Sequence, residues 1–393
     1  VPASRKHLAP FAALSASYFA HIGFFNPYLP LWLKELGFGL VAISMLTAVQ
    51  SATRLIAPYA WGTLSDHTGE RVKLLRLGAT VALIVSCGLW VPGGFWWIAG
   101  VLFVMFLHTS AMMPMSEAAM AHLVSSGGSF DAKRYGRVRL WGSMGFLITV
   151  LAAGAWFEQF GMRHFPAWTV LSLLAVALSV WNLPDLKESV PALEPRPPIL
   201  PVLQKRSVQW FFTAVFFHVL SHIGIYIFFS LYLDALGYSK SAIGLLWAVS
   251  VLVEIIWFFS QSRWLPMLSL TGWLVLCGAV MVLRMGLTAT SAAVWPLLLL
   301  AQCLHAFTFA AHHSVCIALL SHHFPGKLRG RGQALYAVLG YGLTGVLGGL
   351  LGGLMSARLG LASVFWATLG TSVIATACAW QVWRLRHRLH LDP

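Results

Sequence analysis

Long apolar runs, separated by short polar breaks, fill the chain from end to end. The clearest lie near residues 8–33, 41–64, 72–91, 95–124, 135–160, 208–233, 242–261, 268–287 and 292–320. A sixth run ends near Leu183, and two more close the chain, the first of them rich in glycine. A helix needs roughly 20 apolar residues to cross a bilayer's hydrocarbon core. The pattern therefore predicts twelve membrane-spanning helices. The first run holds His21, Asn26, Pro27 and Pro30. Proline inside a span bends the helix and frees backbone carbonyls, which is tolerable where a cavity or another helix accepts them. In the eleventh run Gly345, Gly349 and Gly353 recur every fourth residue, as do Gly348 and Gly352. Small residues at that spacing let two helices approach closely.

One break differs from the rest. Residues 184–206 contain six prolines among charged residues, a composition that resists compact helix and reads as a linker. The expected organisation is an N-terminal six-helix bundle over 1–184, a cytoplasmic linker over 185–207 and a C-terminal six-helix bundle over 208–393. A repeat supports it. Residues 31–56 and 231–256 align with 10 of 26 positions identical, including Leu36/Leu236, Gly37/Gly237, Ile43/Ile243 and Val49/Val249. In both copies an apolar segment ends, a glycine-containing turn follows and a second apolar segment begins. Each second segment carries one ionisable residue in the same place, Arg54 in one and Glu254 in the other. A repeat of about half the chain means two similar halves rather than a solenoid, and two membrane halves related in this way are a transporter's pattern.

Composition sharpens this reading. The 393 residues are 58% hydrophobic and 10% charged, against about 25% charged in soluble proteins. The chain cannot cover itself with water-facing side chains, so a lipid bilayer is its expected partner. The net charge of +14 would suit nucleic acid, but its distribution argues against that partner. Of 26 Lys and Arg, Lys34, Arg163, Lys240 and Arg358 lie on one side of the twelve-span layout, Arg54 and Arg284 lie within spans, and the other 20 lie on the opposite side. That bias places both termini in the cytoplasm. The first run has no small-residue cleavage site, so no cleaved signal peptide is expected. Five cysteines fall inside spans and indicate no extracellular disulfide framework.

The polar residues inside spans carry the candidate chemistry, because an ion there costs roughly 2.5–3.5 kcal/mol on insertion scales and usually faces a cavity or a partner. Glu254 is the foremost. A carboxyl group in apolar surroundings can keep a proton near neutral pH and give it up when water or a cation arrives, which is what proton coupling needs; the competing reading is a structural ion pair with Arg54 or Arg284. Arg284 keeps its charge and so needs an anion, either Glu254, a substrate carboxylate, or both in turn. Arg54 mirrors Glu254 in the repeat and is expected to face the central cavity too, with a static ion pair as the alternative. Glu117 and Arg139 lie on neighbouring spans and are expected to pair. His305, His312 and His313 share one span, with 305 and 312 on one helical face, and His222 lies in the seventh; histidines can relay protons. Metal binding would want cysteine or carboxylate companions at ligand spacing, and none is placed so; no metal and no cofactor are expected. Trp32, Tyr226, Trp247 and Trp257 are candidates for the wall of an aromatic site.

Between the second and third spans, Gly62, Asp66, Gly69 and Arg71 look like the loop between spans 2 and 3 of the major facilitator superfamily, which the chain resembles over nearly its whole length. The stretch YGRVRLWGS from Tyr135, together with Glu254, Arg284 and QCLHAFTFAAHH from Gln302, is similar to the phenylpropionate permease group, a relative of the lactose/proton symporter. The resemblance implies an all-α fold of two pseudo-symmetric six-helix bundles. It implies substrate contacts at Glu117 and Arg139 and a polar cluster holding Arg284 and His305; the reading of the residues adds Arg284, Arg54, His222 and His313 as substrate contacts. It places proton coupling at Glu254 and His305. Asp66 and Arg71 would hold a cytoplasmic gate. Thr308 stands where the lactose symporter has a second carboxylate, so the proton carrier cannot be copied across. The expected function is proton-coupled uptake of a small organic monocarboxylate, with an aromatic acid in view, by alternating access. A sugar or nucleoside symporter and a proton-coupled exporter are the alternatives. A monomer in a bacterial inner membrane is expected, and no enzyme activity.

Overall fold

The computed structural model describes residues 5–124, 132–185 and 198–385, with the side chains of 5–8, 121–124, 132–137, Arg139 and Lys327 outside the description. Among the described residues twelve long helices run in order: α1 (Arg5–Glu35), α2 (Leu40–Thr68), α3 (Arg71–Trp90), α4 (Phe95–Met120), α5 (Ala132–Phe160), α6 (Met162–Trp181), α7 (Arg206–Ala235), α8 (Lys240–Met267), α9 (Leu270–Ser291), α10 (Trp295–His323), α11 (Arg329–Leu359) and α12 (Leu361–Arg384). Eleven of them, α2 to α12, contain stretches long and apolar enough to cross a membrane. No strand occurs among the described residues. Large apolar side chains stand exposed on many of these helices, including Ile84, Trp96, Leu171 and Phe259. In water such a surface would drive aggregation; in a bilayer the lipid tails are as apolar as the side chains, and no penalty arises.

The helix ends follow local chemistry. The repeated turn is a repeated backbone motif. Gly37 and Gly237 have φ of 87° and 85°, the left-handed conformation that glycine adopts without steric cost. In each copy the glycine N–H donates to the carbonyl three residues back (Lys34, Asp234) and the next N–H to the carbonyl five back (Leu33, Leu233), at 3.0–3.2 Å. This pair of bonds satisfies carbonyls that the helix end leaves open. In α4 the helix breaks at Ser110 and resumes at Met112. Pro114 explains the break: it lacks an N–H and its ring clashes with the carbonyl four residues back, that of Ser110. Carbonyls beside the break are taken by side chains, Leu107 by Trp61 Nε1 at 2.9 Å and Thr109 by the Tyr18 hydroxyl at 3.2 Å. At the start of α9 the Ser269 hydroxyl accepts from the Gly272 N–H.

The chain divides into two compact units. Unit 1 comprises 1–38, 45–193 and 239–245; unit 2 comprises 39–44, 194–238 and 246–393. The core of unit 1 gathers Phe11, Leu14, Val72, Leu75, Met112 and Val176 from α1, α3, α4 and α6. That of unit 2 gathers Phe211, Val215, Trp257, Cys277, Val315 and Cys378 from α7, α8, α9, α10 and α12. The α11 glycines serve close packing in unit 2: a Cβ at Gly348 would strike Ile223, and one at Gly352 would strike Phe228, both on α7. Unit 2 also contains three π-helical segments, Gly224–Phe228 in α7, Ala306–Ala311 in α10 and Ala337–Leu343 in α11. Such wide turns recur at functional sites, and two of these three border the polar cluster described next.

Candidate functional site

Arg284 of α9 is the largest fully buried side chain among the described residues, at 0% exposure. Its guanidinium meets α7 and α10. Nη1 lies 2.9 Å from Thr308 Oγ1, 3.0 Å from His305 Nδ1 and 3.2 Å from His222 Nε2, and Nη2 lies 3.3 Å from Gln302 Oε1. Gln302 Oε1 also accepts from the Ser250 hydroxyl of α8 at 3.0 Å, which fixes the amide with its oxygen toward the arginine. The π-turn that starts after His305 places Thr308 and His305 together beside the same nitrogen.

Counting hydrogens shows what this cluster can do. A guanidinium Nη carries two N–H groups, and three acceptors surround Nη1, so one acceptor always lacks a full donor. Arg284 Nε is buried with no partner among the described residues. The cluster thus holds a surplus lone pair on one side of the guanidinium and a surplus N–H on the other. The tautomers follow. A guanidinium nitrogen has no lone pair to accept with, so His305 Nδ1 and His222 Nε2 each turn a lone pair toward Nη1, and in each neutral ring the other nitrogen carries the hydrogen. For His305 that nitrogen is Nε2, which lies 3.6 Å from Glu254 Oε2. His305 therefore stands between the buried cation and the carboxylate.

One of the partners left open for Arg284 is revised. Arg284 does not pair directly with Glu254: among the described residues no carboxylate lies within 4 Å of its guanidinium, and the contact runs through His305. Glu254 itself is about a quarter exposed rather than sealed. The shared face expected of His305 and His312 is also revised. His305 stacks on Phe309 with centroids 5.1 Å apart and planes 1° apart, and Phe309 stacks on His313 at 6.0 Å and 11°. The intervening π-turn holds more residues per turn than an α-helix, so a spacing of four lines up and a spacing of seven does not. His312 turns instead onto His218 of α7, with rings 3.6 Å apart and 5° from parallel. His218 donates through Nε2 to the Thr308 carbonyl at 2.7 Å and lies beside His222, at 5.4 Å between centroids. His313 reaches the Tyr336 hydroxyl of α11 at 3.3 Å.

Of the aromatic candidates, Tyr226 joins the cluster, stacked on His222 at 5.6 Å and 17°. Trp32 stacks on Phe165 in unit 1, Trp247 donates to Ser230, and Trp257 packs on Trp273 and Phe307. Arg54 lines a small polar cavity in unit 1 and is not part of this cluster. Glu117 is half-buried on α4; the side chain of Arg139 lies outside the described residues, and with it the expected pair. Asp66 and Arg71 form an ion pair at 3.0 Å, and Arg71 Nε also donates to Ser65 Oγ at 3.2 Å. No group of three or more His, Cys, Asp or Glu among the described residues is placed to hold a metal ion. Gln302, Ser250 and His218 were not weighed from the sequence. A glutamine amid the leucines of α10 is a signal that could have found the first.

The sequence profile described as "MFS_1 like family" matches residues 14–367. The chain belongs to this family. It is a multi-pass membrane transporter of the major facilitator kind, with a small-molecule substrate. It is 26% identical over 362 residues to the probable 3-phenylpropionic acid transporter of Escherichia coli (strain K12), covering 89% of this chain and 91% of that one. It is 23% identical over 350 residues to the maltose permease of Geobacillus stearothermophilus, covering 88% and 87%. Among solved structures, the nucleoside transporter NupG superposes with a TM-score of 0.78 at 14% identity, covering 96% of this chain and 98% of that one. A POT family transporter in complex with 5-aminolevulinic acid superposes with a TM-score of 0.77 at 11% identity, covering 97% and 96%. At these identities the structural likeness speaks for the twelve-helix fold alone.

Proposed function

We propose that this transporter takes up a small organic monocarboxylate, with an aromatic acid as the leading class, together with protons by alternating access. One observation carries the proposal: a guanidinium at 0% exposure with no carboxylate within 4 Å among the described residues. Burying a charge costs several kcal/mol, and neutral acceptors offset only part of that. An anionic substrate offsets the rest, and the buried Nε of Arg284 is a donor with no other use. The relative that carries the name of an aromatic acid transporter supports the same class.

In this reading Arg284 receives the carboxylate, and His222, His313, Glu117, Arg139 and Arg54 contribute to substrate binding. Glu254 and His305 carry the proton. The Nε2–H of His305 faces the Glu254 carboxylate; once Glu254 takes a proton, that attraction is lost, and the ring and the guanidinium are free to turn toward the entering anion. Asp66 and Arg71 gate the cytoplasmic side. The chain works as a monomer in a bacterial inner membrane with both termini in the cytoplasm, as two bundles over 1–184 and 208–393 joined by 185–207.

The experiment is uptake into proteoliposomes with an imposed pH gradient, comparing 3-phenylpropionate, benzoate and acetate with maltose and a nucleoside. Glu254→Gln is expected to abolish gradient-driven accumulation while sparing exchange of substrate across the membrane. Full accumulation by that variant rules out the proton scheme. Uptake of the neutral cargoes and not of the acids favours the sugar or nucleoside reading, which the maltose permease relative supports.

A further inference from the structure

Unit 1 holds a second polar site, built by α1, α2 and α4 and lined by Tyr18, His21, Asn26, Gln50, Arg54 and Ser110. Its cavity volume is about 10 Å³, close to the roughly 10–15 Å³ that one water occupies by the same measure. It therefore has room for one carboxyl oxygen, with the rest of an acid lying outside it, and not for a ring. Among the described residues the side chains of Asn26, Gln50 and Arg54 have no hydrogen bond or ion pair. Arg54, which is partly exposed, is thus a cation within an apolar helix that has no anion among the described residues.

His21 adds an independent constraint. It is 2% exposed, and its ring is held against Phe24 and Phe25 at 5.8 and 4.9 Å. Nδ1 lies 2.8 Å from Ser172 Oγ of α6. That hydroxyl spends its own hydrogen on the Thr169 carbonyl at 2.9 Å, so it accepts from His21 and Nδ1 carries the proton. In the neutral ring Nε2 is then a bare lone pair, and it is buried with no partner among the described residues. Ser172 does not line the cavity, whereas His21 does. A cation wanting an anion and an acceptor wanting a hydrogen therefore share one small space. An anion alone leaves Nε2 unsatisfied, and a neutral hydroxyl alone leaves Arg54 uncompensated. A carboxyl group and one proton satisfy both.

We propose that this cavity is a head-group subsite for a carboxylic acid, in which Arg54 takes the carboxylate and His21 Nε2 shares the accompanying proton. The balance is one carboxylate and one proton from the medium, held either as the acid against neutral imidazole or as the carboxylate against imidazolium. The other titratable or charged groups lining the cavity are Tyr18 on α1 and Arg54 on α2; the residues of α4 that face it, Phe106, Thr109 and Ser110, and Ser172 of α6 carry no charge. The inference rests on the monocarboxylate reading, with Arg284 receiving the same carboxylate at a different stage of the cycle, and places a proton site in unit 1 that Glu254 and His305 do not supply.

The test uses the full chain in detergent, with Glu254→Gln and His305→Gln as background so that the other proposed proton carriers are silent. 3-Phenylpropionate, benzoate and acetate are the probes, and a pH-indicator dye reads proton uptake on binding. The background chain is expected to take up a proton with the acid. Adding His21→Gln is expected to abolish that uptake and weaken binding about 10–100-fold, the worth of one charge-assisted hydrogen bond. Arg54→Gln should weaken binding similarly, with Arg54→Lys restoring part of it. Nitrogen-15 NMR of the histidines checks the site without relying on the fold of a variant: the resonance that His21→Gln removes should move from the unprotonated toward the protonated range when acid is added. Binding that ignores both His21→Gln and Arg54→Gln, or a His21 resonance that stays put while acid binds, overturns the subsite and leaves the monocarboxylate reading standing. A wild-type chain that binds none of the acids overturns that reading and the subsite with it.

Discussion

Replacing Arg284 by methionine separates a binding role from a structural one. The change removes a fully buried charge and keeps a long side chain of adaptable shape. Two terms oppose. Relief of guanidinium burial is worth several kcal/mol. Against it stand the acceptors left behind. The Thr308 hydroxyl can turn and donate elsewhere, and Gln302 Oε1 keeps the Ser250 hydroxyl at 3.0 Å. That leaves His222 Nε2 and His305 Nδ1, which lose their donor at 3.2 and 3.0 Å. At about 1–3 kcal/mol for each unsatisfied buried group, the loss is about 2–6 kcal/mol. The two terms are of similar size, so the net change in stability is expected to stay within about 2 kcal/mol of zero.

Transport is expected to behave otherwise, falling to background because the proposed anion loses the buried cation of this cluster. The cysteines provide the stability assay. Cys277, Cys316 and Cys378 are buried and free, so a thiol-reactive dye reports unfolding on heating; Cys87, which is exposed, is first changed to serine. Uptake in proteoliposomes supplies the other readout. A structural arginine would give the reverse result, a methionine variant that melts far below wild type. Wild-type melting together with undiminished uptake would refute the reasoning outright. Lysine is the informative intermediate: it keeps the charge but gathers its three donors on one atom, so it cannot serve both the Nη1 acceptors and Gln302. Loss of one charge-assisted bond at the low end of 1.5–3 kcal/mol predicts about tenfold weaker substrate affinity.

Thr308→Asp would set a carboxylate near the Thr308 Oγ1 position, 2.9 Å from Arg284 Nη1; it is expected to raise the melting temperature and weaken acid binding tenfold or more, as measured by the same dye and by equilibrium binding. Gly37→Ala meets no atom within 4 Å but forces a left-handed conformation, so a loss of about 1–2 kcal/mol is expected. Gly39→Ala, which has equal space and no positive φ, is the matched control and should melt like wild type. Asp66→Asn breaks an ion pair whose acidic partner is 60% exposed, so melting should change by less than about 1 kcal/mol; a larger change in the rate of exchange would mark Asp66 as part of the gate.

The helices were legible because span length and apolar content are set by the bilayer, and a soluble fold would have left a different composition. The repeat was legible because Gly37 and Gly237 occupy a conformation few other residues accept, which keeps the turn visible in sequence. The site was legible one residue at a time. Arg284, His222 and His305 stood out as polar groups in apolar runs, and the structure brings these three together. Their wiring was not legible, because it depends on π-turns. One extra residue in a turn moved His313, rather than His312, into line with His305, and no local composition marks where such a turn falls. The break in α4 had a sequence cause in Pro114, but its consequence, a pair of carbonyls taken by Tyr18 and Trp61, needed the neighbouring helices in place.

The fold cannot choose the cargo, since structures of a nucleoside transporter and of a transporter holding 5-aminolevulinic acid both superpose on it at TM-scores near 0.8. The discriminating quantity is how buried charge is compensated. A carrier of neutral sugars gains nothing from an arginine held at 0% exposure among neutral partners, because no step of its cycle repays the burial; a carboxylate installed beside the arginine would be the cheaper arrangement. Here the residue at that place, Thr308, is neutral, and Glu254 is reached across His305. Under the proposed function the missing charge is supplied during work. A substrate anion would supply it at one stage of the cycle. At the others, a deprotonated Glu254 acting through His305 would supply a weaker version, so that proton release and anion release would be tied to one shared cation.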